Sequence, residues 1–311
     1  MRSSPVVSSR HEPVLVEEVL RWIRGGPGLY LDATLGDGGH AEALLEAESG
    51  ARLLGTDRDP QSLEVAGHRL ARFGARVTLA RAAFHELPVA HREAGGELLA
   101  GALFDLGLSS RQLDDPARGI GFRFDAPLDL RLDPARGRPA WEEIRDAEPA
   151  TLASALREHG DIRDATRLAR AMVGEAKAGW LGTTTELTAL VHRLSGGHAH
   201  PRRLAQVYQA LRIWMNGEAE DLEAALEWLP RAVRAGGVVV TIAYHSGEDR
   251  RVKNALRGER SVVSRRRPPA SVAESPWEPL HRGVVTPSQE EVGRNPRARS
   301  ARLRAFRRKS T

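Results

Sequence analysis

The 311-residue chain contains no cysteine, and this absence excludes several kinds of chemistry at once. It rules out disulfide bonds, thiolate metal ligands and cysteine nucleophiles. Methylation of carbon 5 of a pyrimidine normally requires a thiolate that adds to the ring, and iron–sulfur radical enzymes need cysteine ligands. Any reaction that this protein catalyses must therefore proceed without a sulfur nucleophile.

Long apolar runs are also absent. No stretch approaches the roughly 18 residues that a membrane-spanning helix needs, and the N-terminal segment 1–13 has no apolar core of a signal peptide. The composition, 41% hydrophobic and 28% charged, is typical of a soluble globular protein. We therefore expect a cytoplasmic protein with no membrane partner.

Lysine is scarce, and only three of the 46 basic residues are lysine. The net charge of +5 is unevenly distributed along the chain. Residues 294–311 contain eight basic residues and no acid, so that removing these eight leaves −3 for the rest of the chain. Such a segment suits the phosphate backbone of a nucleic acid, but it is equally typical of a solvated tail. Charge alone leaves both interpretations open.

Short apolar runs predict buried strands, and they lie at 29–34, 52–57, 76–82, 98–107 and 236–245. Helical patterns separate the first four of them, at 40–48, 60–74 and 84–95. This alternation predicts an α/β fold with a parallel, doubly wound sheet. The basic run 301–308 alternates with apolar residues and could add an antiparallel edge strand, with its arginines on the exposed face.

The alternation stops between 107 and 236, where we find only helical patterns, at 148–160, 164–179, 183–196 and 202–230. A connection inside a parallel sheet needs far fewer residues. We therefore expect a discontinuous Rossmann-like domain, 1–114 and 213–311, with a helical subdomain inserted at 115–212. Residues 258–278 are rich in Arg, Ser and Pro and are predicted to form a loop.

A glycine-rich loop, "DATLGDGGH" (32–40), follows the first predicted strand. Asp57 ends the second strand, where an acid can accept hydrogen bonds from ribose hydroxyls. The loop lacks the G-x-G-x-x-G order of a dinucleotide site, and Asp32 and Asp37 would repel a pyrophosphate. S-adenosylmethionine fits these acids better, because it carries an ammonium group, a sulfonium group and a ribose but no phosphate.

Asp105 ends the fourth predicted strand, beside the first strand, and would face the reactive end of the cofactor. An acceptor at this place could orient an attacking exocyclic amine, although a carboxylate that only caps a turn is the alternative. The segment "YHSGEDR" (244–250) brings His, Ser, Glu and Asp together after the fifth strand. It lacks the G-x-S-x-G order of a hydrolase, so a structural or substrate-side role is favoured. No histidine spacing predicts a metal site.

Several segments together resemble the bacterial 16S ribosomal RNA cytosine-N4 methyltransferases, and they follow in family order along nearly the whole chain. They are "HEPVLVEEVL" (11–20), "YLDATLGDGGHAEALL" (30–45), "GTDRDPQSL" (55–63), "FDLGLSSRQLDDPARGIGFRFDAPLDLRLD" (104–133), "QALRIWMNGEAEDLEAAL" (209–226), "YHSGEDRRVK" (244–253) and "NPRARSARLRAF" (295–306). The middle motif is long enough to be specific.

The resemblance implies S-adenosylmethionine as methyl donor and a cytidine in the decoding centre of the small ribosomal subunit as substrate. It implies a helical substrate-recognition domain inserted into a Rossmann-like methyltransferase domain, and 16S rRNA, in the assembled subunit, as partner. A monomer and a homodimer are both compatible with it. By matching motif, the cofactor-binding residues would be Gly38, Gly39, His40, Asp57, Phe84, Asp105 and Gln112.

The chain departs from the family pattern in places. The family usually shows "FHSLEDR", whereas this chain has Tyr244 and Gly247 in that motif. Residues 200–207 lack the usual Ala-Thr-Arg, and 159–170 lack the usual paired glutamates. We expect these changes to affect substrate docking more than cofactor binding, with arginines of 118–138 and of the basic tail holding RNA phosphates.

Two other functions compete with this interpretation. A ribosome-assembly factor that binds RNA without catalysis would explain the basic tail, but Asp57 and Asp105 argue against it. A nicotinamide-dependent dehydrogenase would share the sheet, but the glycine order and the insertion argue against it.

Overall fold

The computed structural model describes residues 13–109, 112, 115, 118–258 and 274–310 of the chain. The chain divides into two compact units. The first unit takes in Met1–Gly107 and Leu226–Thr311, and the second is Leu108–Ala225. The second unit thus begins before residue 115 and ends after residue 212, the bounds expected from the sequence.

The first unit is built on one sheet. Its strands are β1 (Gly28–Asp32), β2 (Ala51–Asp57), β3 (Val77–Arg81), β4 (Leu99–Asp105), β5 (Val233–Ala243), β6 (Trp277–Pro279) and β7 (Arg302–Arg308). Their order is β3-β2-β1-β4-β5-β7-β6, and β1 to β5 are parallel. In β4 every residue except Asp105 is buried, as expected for a strand covered on both faces. The predicted α/β Rossmann-like class is confirmed.

The helices are α1 (Val16–Ile23), α2 (Gly39–Ala47), α3 (Pro60–Leu70), α4 (Leu87–Glu93), α5 (Ala140–Asp146), α6 (Pro149–Gly160), α7 (Ala165–Lys177), α8 (Thr184–Leu194), α9 (Pro201–Asn216), α10 (Glu218–Ala232), α11 (Ser246–Arg257) and α12 (Gln289–Arg294). Local sequence explains where several of these helices begin. The Asp59 carboxylate accepts from Gln61 N at 3.0 Å and caps α3, whose first residue is Pro60. Within the described ranges, no helix has the length and apolar character that crossing a membrane requires.

The C-terminal part of the sheet differs from the sequence expectation. Strand β7 does pair antiparallel with β5, but β6 pairs with its other side, so β7 is not an edge strand. The Arg304 side chain is only 10% exposed and donates twice to the Asp249 carboxylate of α11, at 2.7 and 3.0 Å. The basic segment is therefore built into the sheet, and part of its charge is used inside the protein. Most of the predicted loop 258–278 lies outside the described residues, and its last two positions belong to β6.

The second unit has its own helical core, in which Leu156, Leu168 and Met172 are fully buried. Its helix α8 begins with a capping box between Thr183 and Glu186, at the start of the helical pattern predicted over 183–196. The expected single helix over 202–230 is wrong. Gly217, with φ of 61°, ends α9 in the left-handed conformation, and α10 starts at the next residue.

The contact between Asp249 and Arg304 gives a stability prediction. Asp249→Ala leaves the guanidinium largely buried without its carboxylate, and we expect a loss of about 3–5 kcal/mol in the free energy of unfolding. Urea titration of the full chain measures this loss. The double variant Asp249→Leu with Arg304→Met should recover most of it, because neither charge then stays buried.

The exposed pair of Glu274 and Lys309 provides the matched control, since the glutamate side chain is 91% exposed. Glu274→Ala should change the free energy of unfolding by less than about 1 kcal/mol. A loss for Asp249→Ala no larger than that of Glu274→Ala would contradict a structural role for the buried pair.

Candidate functional site

Carboxylates end three neighbouring strands of the first unit. Asp57 is the last residue of β2, Asp32 of β1 and Asp105 of β4, and these strands are adjacent in the order β2-β1-β4. The strand order reverses between β1 and β4, and ligands of doubly wound folds bind at such a switch point. The structure therefore brings the predicted acids to one edge of the sheet.

Asp57 ties the glycine loop to the end of β2. Its Oδ2 accepts from Gly36 N at 2.9 Å, and its Oδ1 accepts from Asp59 N at 2.9 Å. Burial is the main cause that raises the pKa of this carboxyl, and the two backbone hydrogen bonds act in the opposite direction. Each carboxylate oxygen has a second lone pair, so Asp57 can accept from ribose hydroxyls while it holds the loop.

Gly38 and Gly39 are required by packing inside the unit. Gly38 precedes α2 with φ of 79°, and a Cβ there would lie 3.3 Å from Ala66 Cβ of α3. A Cβ on Gly39 would lie 2.7 Å from Pro13 Cγ, closer than real Cβ contacts. Gly38 supplies no side-chain cap, so the amides of the first turn of α2 are donors suited to the carboxylate of a methionine moiety.

His40 is buried between the N-terminal segment and the strand ends. Its Nε2 lies 2.8 Å from the Val14 carbonyl oxygen, and since a carbonyl only accepts, Nε2 carries the hydrogen. Its Nδ1 lies 3.8 Å from Asp105 Oδ2. The ring is thereby fixed with one nitrogen near the acids at the sheet edge.

Asp32 is 3% exposed, and burial raises its pKa to about 7. His40 and the amide of Thr34, which donates to Asp32 Oδ1 at 3.2 Å, lower this pKa, whereas Asp105 and Asp57 raise it. The edge therefore holds a carboxyl group that ionises near neutral pH and would ionise more fully when positive charge approaches.

The surroundings of Asp105 include contacts that sequence reasoning did not predict. Its backbone N donates to Thr34 Oγ1 at 2.7 Å, and its carboxylate interacts electrostatically with Tyr244, which follows β5. From the sequence, Tyr244 was noted only as a departure from the family motif, and we expected it to affect substrate docking. The hydroxyl that Tyr244 adds, where the family usually has Phe, was the one signal in the sequence of a polar group near Asp105.

The remaining predicted cofactor residues lie in different places. Phe84 follows β3 and packs edge-on against Phe104 of β4, with ring centroids 5.6 Å apart. Gln112 belongs to the second unit, where it is buried and its Oε1 accepts from Ser109 N at 3.0 Å. Its role toward the cofactor stays a prediction.

The residues of segment 244–250 are engaged in structural contacts. His245 Nδ1 caps α11 by accepting from Glu248 N at 3.4 Å, and Glu248 Oε2 accepts from Tyr244 N at 3.0 Å. Asp249 is bound to Arg304 of β7. These contacts favour the structural role over a nucleophilic one.

Comparison with known proteins identifies the family of the chain. Residues 8–309 match the sequence model of the MraW methylase family. The chain belongs to this family. It is also 44% identical over 306 residues to a "Ribosomal RNA small subunit methyltransferase H" of Sorangium cellulosum, covering 96% of this chain and 91% of the relative. A protein of the same name from Beutenbergia cavernae is 41% identical, with 96% and 92% covered.

Solved structures are more distant. An rRNA methylase from Streptococcus thermophilus aligns with a TM-score of 0.42 and 10% identity, covering 95% of this chain and 94% of that chain. The N-methyltransferase NodS from Bradyrhizobium japonicum aligns with a TM-score of 0.43 and 10% identity, with 95% and 94% covered. The assignment therefore rests on the sequence family.

As a member of the MraW methylase family, the chain is a methyltransferase, and S-adenosylmethionine is its methyl donor. This excludes the dehydrogenase and the non-catalytic assembly factor. The residues present fit that cofactor, because buried acids at the sheet edge suit its two cationic groups. Asp57 would hold the ribose hydroxyls and Phe84 would pack near the adenine. The first turn of α2, from Gly39, would hold the methionine end.

Cofactor binding by this methylase should depend on both oxygens of Asp57. In Asp57→Asn one side-chain oxygen still accepts a backbone N–H. The amide NH₂ replaces the other oxygen and cannot accept, so the second backbone N–H loses its partner. We expect the Kd for S-adenosylmethionine to rise by about tenfold or more, since a buried donor left unpaired costs about 1–3 kcal/mol. Isothermal titration calorimetry measures the Kd. Glu64→Gln, on the exposed face of α3, is the control and should leave it unchanged. Equal Kd values for wild type and Asp57→Asn would contradict the assignment.

Asp32 should release a proton when the cofactor binds. Its pKa of about 7 leaves it partly protonated at neutral pH, and a bound cation stabilises the carboxylate and lowers that pKa. We expect release of about half a proton per ligand at pH 7. The measurement is the binding enthalpy in buffers with different ionisation enthalpies. The buffer dependence should vanish in Asp32→Asn, and its persistence in that variant would show that another group releases the proton.

Proposed function

We propose that this methyltransferase modifies the exocyclic N4 amine of a cytidine in the decoding centre of 16S rRNA. The observation that carries the proposal is the position of Asp105, at the carboxyl end of β4 and directly beside β1 and its glycine loop. The curated relatives named above are ribosomal RNA small subunit methyltransferases, which supports an rRNA substrate. The lack of cysteine argues against methylation at carbon 5.

Asp105 is proposed to orient the attacking amine. The lone pair of the N4 amine is delocalised into the cytosine ring, and a carboxylate that accepts one N–H would help to localise it on nitrogen. Bound S-adenosylmethionine would supply a methyl group that its sulfonium already activates. Because the amine proton becomes acidic only after methylation, no strong base is needed before attack. The protein contributes mainly position, which fixed carboxylates at a rigid sheet edge can provide.

The target base must reach this edge, so it has to leave its stack in the RNA. We propose that the second unit, which includes Gln112, recognises the substrate. The proposed organisation is the one expected from the sequence, a discontinuous methyltransferase domain with a helical recognition domain inserted into it. The independent helical core of the second unit supports this division.

The arginines of 118–138 are less available for RNA phosphates than the sequence led us to expect. Arg131 donates to both oxygens of Asp129, at 2.6 and 2.7 Å. Arg138 donates to an aspartate of α5 at 2.7 Å, and Arg118 is buried. Part of the positive charge of this segment is therefore neutralised within the second unit itself.

We further propose that the substrate is the assembled small subunit in the cytoplasm. Incubation with labelled S-adenosylmethionine tests this when small subunits from a strain lacking the enzyme are compared with naked 16S RNA. Label in N4-methylcytidine of 16S rRNA is the expected result, and label on adenine, or none, would exclude the proposed reaction.

Light scattering of the active protein would separate a monomer from a homodimer.

In the labelling assay Asp105→Ala should lower turnover by about a hundredfold or more, because the amine then loses its acceptor. Asp105→Asn should do nearly the same, since its shape is kept and its charge is lost. Glu97→Gln, which removes an exposed acid that pairs with Arg52, is the control and should retain full turnover. The circular dichroism spectrum shows whether each variant is folded. Turnover of the wild-type size in folded Asp105→Ala would remove this residue from the mechanism.

A further inference from the structure

The second unit contains a cavity of about 410 Å³, beside the connection from α6 to α7 and the start of α9. Its volume lies within the range of about 300–1,000 Å³ that is typical of ligand pockets. Most of the residues that line it are charged or polar. They are Asp161, Ile162, Arg163, Arg202, Arg203 and Gln206. Three arginines and one aspartate therefore line a space large enough for a ligand group.

The walls of this cavity are held by contacts within the second unit. A Cβ on Gly160, the last residue of α6, would lie 2.8 Å from the Gln206 carbonyl oxygen, so the backbones of α6 and α9 approach closely there. Arg203 of α9 donates to both oxygens of Asp164, at 2.9 Å each, and so joins α9 to the start of α7. These contacts hold the walls in place before any ligand binds.

The arginines of the cavity carry positive charge that the second unit leaves available. The Arg163 and Arg202 side chains are exposed, and neither guanidinium forms a hydrogen bond or an ion pair with a residue that the structure describes. Arg203 Nε is buried without an acceptor in the described part of the chain, and an oxygen that entered the cavity beside it would supply one. Arg131 and Arg138, in contrast, are bound to acids of the unit.

The position of the cavity in the fold adds to this positive charge. Arg202 and Arg203 belong to the first turn of α9, a helix of 16 residues that begins at Pro201. The amino end of a helix carries partial positive charge and favours anions. A guanidinium binds phosphate oxygens by paired, charge-assisted hydrogen bonds. The ligand that suits these donors is therefore an anionic group with several oxygens, such as a phosphodiester.

The lining of the cavity comes from the two segments, 159–170 and 200–207, in which this chain departs from the family pattern. The first lacks the usual paired glutamates, and the second lacks the usual Ala-Thr-Arg. The structure brings them together, with 161–163 from the first and 202–206 from the second at one cavity. From the sequence we expected both departures to affect substrate docking, and a cavity lined by three arginines favours a polyanionic substrate.

We propose that this cavity binds a phosphate group of the rRNA backbone and so anchors the substrate on the second unit. Arg163 and Arg202 would donate to the phosphate oxygens, beside Arg203, which Asp164 already orients. The proposal rests on the rRNA substrate and on the recognition role of the second unit proposed above. It assigns phosphate binding to arginines outside 118–138 and outside the basic tail. A contact of this kind positions the RNA without reading its sequence.

The test is the Kd of the full chain for small subunits and for naked 16S RNA, measured by filter binding over a series of salt concentrations. Arg163→Gln and Arg202→Gln should each raise both Kd values about tenfold, the effect of losing a hydrogen bond to a charged group. The slope of log Kd against log salt concentration should fall by about one in each variant, because one fewer cation contacts a phosphate. The Kd for S-adenosylmethionine should stay the same, since its proposed site lies at the sheet of the first unit.

The acid of the cavity should have an effect of the opposite sign. Asp161 has a φ of 53°, a left-handed conformation that asparagine also adopts, so Asp161→Asn keeps a compatible backbone. Its carboxylate repels a phosphate in the same cavity, and its loss should lower the Kd for RNA about threefold. Unchanged or weaker RNA binding by Asp161→Asn would contradict an anion in the cavity.

Arg170→Gln is the matched control. Arg170 is an exposed arginine of α7 in the same unit and is not among the residues that line the cavity. Its substitution removes the same charge, and it should change the Kd less than about twofold, because salt screens exposed charges that make no direct contact. A loss as large as that of Arg163→Gln would show a general attraction of the unit for RNA and would overturn the phosphate site.

The outcomes separate the two proposals. A wild-type enzyme that forms no N4-methylcytidine would overturn the proposed function itself. A wild-type enzyme that forms it, with Arg163→Gln and Arg202→Gln binding small subunits and naked 16S RNA as the wild type does, would overturn only the phosphate site. A loss with small subunits but not with naked 16S RNA would show that a ribosomal protein occupies the cavity, and this too would overturn the phosphate site.

Discussion

Burial of carboxylates at one edge of the sheet is the constraint on which the rest of the site depends. Asp32, Asp57 and Asp105 end three neighbouring strands, where like charges repel each other and burial removes solvating water. Backbone amides offset part of this cost at Asp57, and His40 offsets part of it at Asp32. Such an edge is stabilised further by positive charge, and a cofactor with an ammonium and a sulfonium group provides it.

The glycine loop beside these acids is shaped from inside the protein. Gly38 needs a positive φ and a close approach to α3, and Gly39 lies where Pro13 would collide with any side chain. Packing inside the first unit therefore already requires both glycines. The same glycines thus serve internal packing and cofactor binding. A loop that its neighbours hold in place presents its backbone amides to the cofactor in one arrangement.

The sheet was predictable because its signals are local. Apolar runs marked β1 to β5, and the acids that follow them had to meet at one edge once the strands were parallel. Two long-range features could not be derived this way. The pairing of β6 with β7 and the bond between Asp249 and Arg304 join segments far apart in sequence, and no local pattern encodes the partner. The break at Gly217 was predictable in principle, because glycine readily ends a helix, but the apolar periodicity on both sides conceals it.

The segment after β5 shows why residue types alone were misleading there. Its His, Glu and Asp suggest catalysis, yet each is used to fix the local chain or to hold β7. The residue that approaches the reactive edge is Tyr244, the least conspicuous member of the segment. Phenylalanine would pack on Gly107 equally well, and a buried hydroxyl costs free energy unless it finds a partner. Burial and the negative charge of the nearby Asp105 both raise the pKa of Tyr244, so the hydroxyl keeps its proton beside the acid at the sheet edge.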